Sequence, residues 1–257
     1  MAEPKSRGRL YLIPTPLAIN EETDIFSFIP LRFSDILTSL QGIIAENEKK
    51  ARQFLSLFHL PRPIQSFRIK SIDKHNFQKK DCDSLLKPLV RGEHWGLVAD
   101  AGCPAVADPG SEIIEQAHAN GITVKPLVGP SSILLALMAS GMNGQRFVFH
   151  GYLPKEREER IKTLKKLEND SLQLDQTQIF IEAPYRNEVL FKDSVEYLSP
   201  KTLFCIAIDL NLSTEFILSQ PIENWKMGES PNINKRPAIF LIFSGFRSKQ
   251  DQNNIKG

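Results

Sequence analysis

The chain has 257 residues, 41% hydrophobic and 24% charged, with 17 Pro and 14 Gly, which excludes a disordered, collagen-like or coiled-coil chain. Its length suits one or two domains at roughly 100–200 residues each. Lys and Arg number 32 against 30 Asp and Glu, a net charge of +2, so a bulk nucleic-acid coat is excluded while a local basic face remains open.

Short β-rich runs alternate with helix-like segments from end to end. The first strand is expected at Leu10–Ile13 and the second at Ile43–Ala45, followed by a helix over Glu46–Phe58. Next come a strand at Trp95–Ala99, a helix over Pro109–Ala119 and a strand at Thr123–Val128. An apolar helix over Ser131–Ser140 follows, then strands at Arg146–His150 and Gln178–Ile181. Between those two strands lies an amphipathic helix over Lys155–Glu168, with Ile161, Leu164 and Leu167 on one face. A helix over Arg186–Leu198, a strand pair at Leu203–Ile208 and Phe216–Leu218, and a last strand at Ala238–Phe243 complete the order. Strand–helix alternation of this kind means an α/β fold. The punctuated joint Val128-Gly129-Pro130-Ser131 divides it into two α/β domains, 8–128 and 129–246, with a polar tail at 247–257.

The longest apolar run, Ser131–Met142, is too short for a membrane-spanning helix, which needs about 20 residues. The start, Met1–Arg9, has no apolar core behind its charges and is not a secretory signal. Cys82, Cys103 and Cys205 are odd in number and far apart, so a reducing cytoplasm is the expected home. No cysteine or histidine spacing suits a metal. The Gly-rich nucleotide loops and the Gly-x-Ser-x-Gly elbow are missing, which removes support for nucleotide hydrolysis, Rossmann-type hydride transfer and lipase-like acyl chemistry.

Five strand-like runs are each followed closely by proline: Pro14, Pro104, Pro130, Pro154 and Pro184. Proline at the carboxyl end of a strand makes a stiff loop and leaves neighbouring backbone groups exposed to a ligand. In open α/β sheets that end is the ligand crevice. The densest segment runs from Val98 to Ser111, with Asp100 at a strand end, Gly102 at the turn and Asp108-Pro109 in a good position to start a helix. Gly129-Pro130-Ser131-Ser132 opens the apolar helix, where free N–H groups suit a carboxylate or phosphate or where the serines simply cap.

The blocks ADAGCPAVADPG, VGPSS, FHGYLP, IEAPYR and DLNLSTE, in that order, resemble those of the tetrapyrrole methylase superfamily. The branch they are most similar to is the ribosomal RNA small subunit methyltransferase I type. That resemblance runs from about Arg9 to about Gly245. It implies two α/β domains with S-adenosylmethionine held in the cleft between them, a ribosomal RNA substrate methylated on a ribose 2′-oxygen, and a homodimer. The donor contacts it implies are Pro14 in the first loop, then Asp100, Ala101, Gly102, Pro104, Ala105 and Val106, with Gly129, Pro130, Ser131 and Ser132 opposite. For the proton of the acceptor hydroxyl, Glu182 and then Asp108 are the candidate bases. Arg186 suits a phosphate and Tyr185 offers a stacking face. Lys155–Lys166, with six basic residues against three acidic ones, is the expected basic segment.

The chain departs from that branch on the acceptor side. Where the branch carries Asp-Thr-Arg-His-Thr after the second strand, this chain reads Glu46-Asn47-Glu48-Lys49-Lys50. Where it carries Glu-Leu-Thr-Lys, this chain reads Asp209-Leu210-Asn211-Leu212, with Glu215 keeping the later acid. Two further readings therefore stand beside the RNA enzyme: a methyltransferase for a tetrapyrrole or other small acceptor, and a binding module whose chemistry has lapsed.

Overall fold

The computed structural model describes residues 7–19, 29–30, 32–72 and 79–245. The polar tail at 247–257 lies outside them. They form two compact units that divide between Ser131 and Ser132. No helix among them is long and apolar enough to cross a membrane.

The first unit is built on a parallel sheet of β1 (Arg9–Ile13), β2 (Gly42–Ala45), β3 (Arg68–Ser71), β4 (Trp95–Val98) and β5 (Thr123–Pro126), in the order β3-β2-β4-β1-β5. Parallel strands are covered on both faces, so their residues read as apolar runs rather than alternating ones. One face carries α1 (Phe33–Ser39) and α2 (Glu48–Ser56), packing Phe33, Leu37, Phe54 and Leu55 on Tyr11, Ile13, Ile43 and Val98. The other carries α3 (Lys79–Val90) and α4 (Ser111–Ala119), packing Leu86, Leu89 and Ile113 on Leu10, Ile44, Trp95 and Leu97. The chain leaves β1 toward β2 and leaves β4 toward β5, in opposite directions across the sheet. The carboxyl ends of these two neighbours are therefore the switch point at which such sheets bind ligands.

The second unit is a mixed sheet of β6 (Phe147–Tyr152), β7 (Thr177–Ile181), β8 (Leu203–Ile208), β9 (Phe216–Pro221) and β10 (Ala238–Phe243), in the order β6-β7-β10-β8-β9. Only β6 and β7 run parallel, and α6 (Arg157–Leu174) crosses between them. Helix α5 (Ser132–Ser140) precedes the sheet, and α7 (Asn187–Tyr197) and α8 (Ile222–Met227) follow β7 and β9. Phe180, Phe240 and Phe204 stack across three neighbouring strands at centroid spacings of 6.0 and 6.1 Å, and Trp225 closes on Phe204 with its indole N–H donated to the Phe204 carbonyl at 2.9 Å. A buried charge cluster joins α6 to α7. Arg160 donates to Asp193 from Nη2 at 2.6 Å and from Nε at 2.8 Å, and Arg157 adds a third bond at 3.1 Å.

Three expectations need correction. Asp108-Pro109 does not start a helix. Helix α4 begins at Ser111 with Gly110 in front of it at φ 135°, a backbone angle outside the helical region. Helix α6 runs six residues past Glu168, because Ser171 is still buried on its inner face and the helix stops only at left-handed Asp175. The stretch between Phe58 and Trp95, read without elements, contains β3 and α3. Edge strand β3 (Arg-Ile-Lys-Ser) is too charged to show as an apolar run, and α3 contains Pro88, which reads as a helix breaker. The structure answers that proline directly: Pro88 has no N–H for the Ser84 carbonyl, and Lys70 Nζ donates to that carbonyl instead.

Candidate active site

The switch point of the first sheet brings three of the proline-marked segments together. Thr15, after β1, and Gly102, after β4, exchange both backbone hydrogen bonds, at 3.0 and 3.1 Å. Thr15 Oγ1 also donates to the Ala99 carbonyl at 3.2 Å. From the third segment, the Pro130 carbonyl faces Cys103 Sγ at 3.4 Å, and Gly129 lies so close to Pro14 that a Cβ on it would come within 2.3 Å of the proline ring. Burial in this knot pushes the Cys103 thiol above its usual pKa.

The loop from Asp100 to Gly110 stays irregular throughout. Gly102 has φ 74°, and Ala105 and Ala107 have φ 63° and 62°. Left-handed alanines cost on the order of 1–2 kcal/mol each, and such strain collects where a ligand is gripped. Pro14, Gly102, Pro104 and Pro130 are buried, Ala105 and Asp108 half-buried, and Ala101 and Val106 exposed. The arrangement offers a tight, strained turn of small residues beside proline rings.

Asp100 has a partner that no motif announced. Lys50 Nζ meets Asp100 Oδ2 at 2.9 Å, reaching from the first turn of α2. That helix occupies the place of the Asp-Thr-Arg-His-Thr block. Asn47 caps it by accepting from the Lys50 N–H at 3.2 Å. The ion pair thus links the substituted segment to the strand-end loop.

The remaining candidates lie in the second unit. Helix α5 begins at Ser132, directly after Ser131. Glu182, at the end of β7, is buried, and its Oε1 accepts from the Ala183 N–H at 2.7 Å and from the Arg186 guanidinium. Arg186 Nε is itself buried without a hydrogen-bond partner. Nearby in the fold, the backbone N–H of Lys235 donates to the Pro184 carbonyl at 3.0 Å, and Asn187 donates to the Arg236 carbonyl at 2.7 Å. Asp209 accepts from Arg236 Nε at 2.8 Å and from Thr214 Oγ1 at 2.7 Å. Asp209 and Asn211, at φ 50° and 67°, form another strained turn. Arg236, like Lys50, had no motif to mark it. Among the described residues no group of His, Cys, Asp and Glu is arranged to hold a metal.

No family model matches the chain. Ribosomal RNA small subunit methyltransferase I of Escherichia coli O157:H7 is 30% identical over 247 residues, covering 96% of this chain and 81% of the relative. The enzymes of the same name from Thermotoga maritima and Haemophilus influenzae are each 30% identical, over 86% and 82% of their lengths. Among solved structures, the methyltransferase CobJ matches with a TM-score of 0.60 at 15% identity, over 92% of this chain and 94% of that one. The cobalt precorrin-4 methyltransferase CbiF matches at 0.56 and 11%, over 91% and 94%. These structural neighbours bear out the two-sheet α/β fold of the tetrapyrrole methylases, and the sequence relatives bear out the branch: the chain belongs to the ribosomal RNA small subunit methyltransferase I family and is a methyltransferase.

Proposed function

We propose that this methyltransferase transfers a methyl group from S-adenosylmethionine to a ribose 2′-hydroxyl of ribosomal RNA. The observation that carries this reading is the knot of the Pro14, Gly102 and Pro130 segments at the switch point of the first sheet. It stands in a chain whose relatives are named for methylating small-subunit ribosomal RNA. When bound, the donor supplies an electrophilic methyl on a sulfonium. The strained loop of small residues at Asp100, Ala101, Gly102, Pro104, Ala105 and Val106 lets its amino-acid end and its ribose approach closely. Pro14 and Pro130 give apolar walls, and Gly129, Ser131 and Ser132 complete the opposite side.

The acceptor oxygen must reach about 3–3.5 Å from the methyl, in line with its leaving bond. It also needs to lose a proton. Glu182 Oε1 is engaged by Arg186 and Ala183, so Glu182 serves to orient Arg186, and Asp108 on the strained loop takes the proton. Arg186, with its unfilled Nε, supplies positive charge to an RNA phosphate. The protein works as a homodimer that covers the exposed Leu134 and Met138 of α5. These two side chains lie one turn apart on a helix that is apolar all round, a pattern that belongs in an interior.

Incubation with S-adenosylmethionine and small-subunit ribosomal RNA from a strain lacking this methylation, mapped nucleotide by nucleotide, tests the reading. A single new 2′-O-methylated nucleotide is expected. Methylation of a tetrapyrrole supplied at equal concentration, with none on the RNA, would overturn it.

A further inference from the structure

The edge of the first sheet carries a cluster of positive charge that no step above uses. Register puts Arg68 of β3, Gly42 of β2 and Trp95 of β4 in one row. Gly42 has no side chain, and a Cβ there would fall 2.5 Å from the indole. The Trp95 ring therefore lies across β2 and reaches the edge strand. Arg68 and Lys70, two residues apart and on one face of β3, both stand over that ring, at 5.2 and 5.4 Å. Arg62 stacks on Phe67 at 3.6 Å, and its Nε is buried without a hydrogen-bond partner. Lys87, one turn after the Ser84 carbonyl that Lys70 holds, and Arg91, just past the end of α3, are exposed and complete the group.

Five cations thus face few acids. Glu93 is one, held below its usual pKa by the Trp95 indole N–H and by Arg68. Asp83 is another, one turn before Lys87 on α3. Burial first, then the charge of Arg68, lowers both Arg62 and Lys70 from their ordinary values; for Lys70, Glu93 opposes the shift and Lys87 adds to it. A surface that holds like charges together on flat aromatic supports is matched to a polyanion. The row Arg68, Gly42 and Trp95 opens three parallel strands, so the patch lies at the amino end of the sheet, whereas the Asp100–Gly110 loop leaves the carboxyl end of β4.

We propose that β3 and the end of α3 form a surface that grips the RNA phosphate backbone, at the end of the first sheet away from the Asp100–Gly110 loop. This rests on the RNA substrate proposed above. The rival role for charge on an edge strand is to block pairing with another chain. A rival for Lys87 and Arg91 is favourable interaction with the C-terminal end of α3. Reversing the charges separates these roles, because an acidic edge still resists pairing but repels phosphate.

The test uses the full chain and a fluorescent fragment of small-subunit ribosomal RNA, with affinity measured from 50 to 300 mM salt for wild type, Lys87→Glu/Arg91→Glu and Lys87→Gln/Arg91→Gln. Melting temperature and S-adenosylhomocysteine affinity are read on the same samples. Wild type binds the RNA. The reversed variant is expected to bind about tenfold more weakly near 0.1 M salt, and both variants to show a log–log salt slope shallower by about 1.4, at roughly 0.7 for each phosphate no longer neutralised. Donor-product affinity stays within twofold. Unchanged RNA affinity and slope in both variants would overturn this surface and leave the RNA substrate standing. Absence of RNA binding by wild type would overturn both.

Discussion

Asp193→Ala is expected to destabilise the second unit by about 3–5 kcal/mol, the range for removing one partner of a buried ion pair. Asp193 is 3% exposed and is the carboxylate that Arg160, itself 5% exposed, depends on. Arg160 Nη1 donates to the Lys155 carbonyl at 2.7 Å, so this guanidinium also pins the turn that feeds α6. Without the carboxylate a buried cation stays uncompensated, while the exposed Arg157 loses one bond and keeps its pair with Glu196 at 3.2 Å. Thermal denaturation followed by circular dichroism should show the melting temperature falling by roughly 10 °C. The double variant Arg160→Met/Asp193→Leu should recover much of the loss, since two apolar side chains of similar bulk leave no charge behind. A melting temperature for Asp193→Ala within 2 °C of wild type would show that the cluster adds nothing to stability.

The second large effect concerns binding. Gly102→Trp is expected to weaken the uptake of S-adenosylhomocysteine at least a hundredfold while leaving the melting temperature within a few degrees. Residue 102 has φ 74°, which a tryptophan adopts only with strain on the order of 1–2 kcal/mol. A Cβ alone would fit, 3.4 Å from Leu17 and 3.7 Å from the Pro130 carbonyl, so the loss comes from the ring filling the turn and from disturbed pairing with Thr15. The loop lies outside the three hydrophobic cores, so global stability changes little. Gly102→Ala, with strain but no bulk, should lose far less. Equal affinity for Gly102→Trp and wild type would remove the turn from the donor site.

Much of this architecture was legible in the residues. Strands buried on both faces read as continuous apolar runs, and the prolines that follow β1, β4 and β5 marked the three segments that meet. The chain was hard to read where one residue acts on another far away in sequence. Pro88 signals a break, yet Lys70 from β3 satisfies the carbonyl it leaves and the helix persists. Asp108 is a good capping residue, but two left-handed alanines and the backbone of Gly110 move the start of α4 downstream. Lys50 left a trace that only physics interprets. A lysine in the first turn of a helix opposes the helix dipole, and its compensation is Asp100, fifty residues later in the chain. Arg236 left no such trace, because its partners Asp209 and Thr214 lie on another strand connection.

Isothermal titration calorimetry of the purified full chain with S-adenosylhomocysteine addresses the donor assignment most directly. Saturable heat corresponding to one molecule per chain, abolished in Gly102→Trp, is the result expected of a loop that holds the sulfonium nucleotide. A flat titration with folded wild-type protein would contradict it.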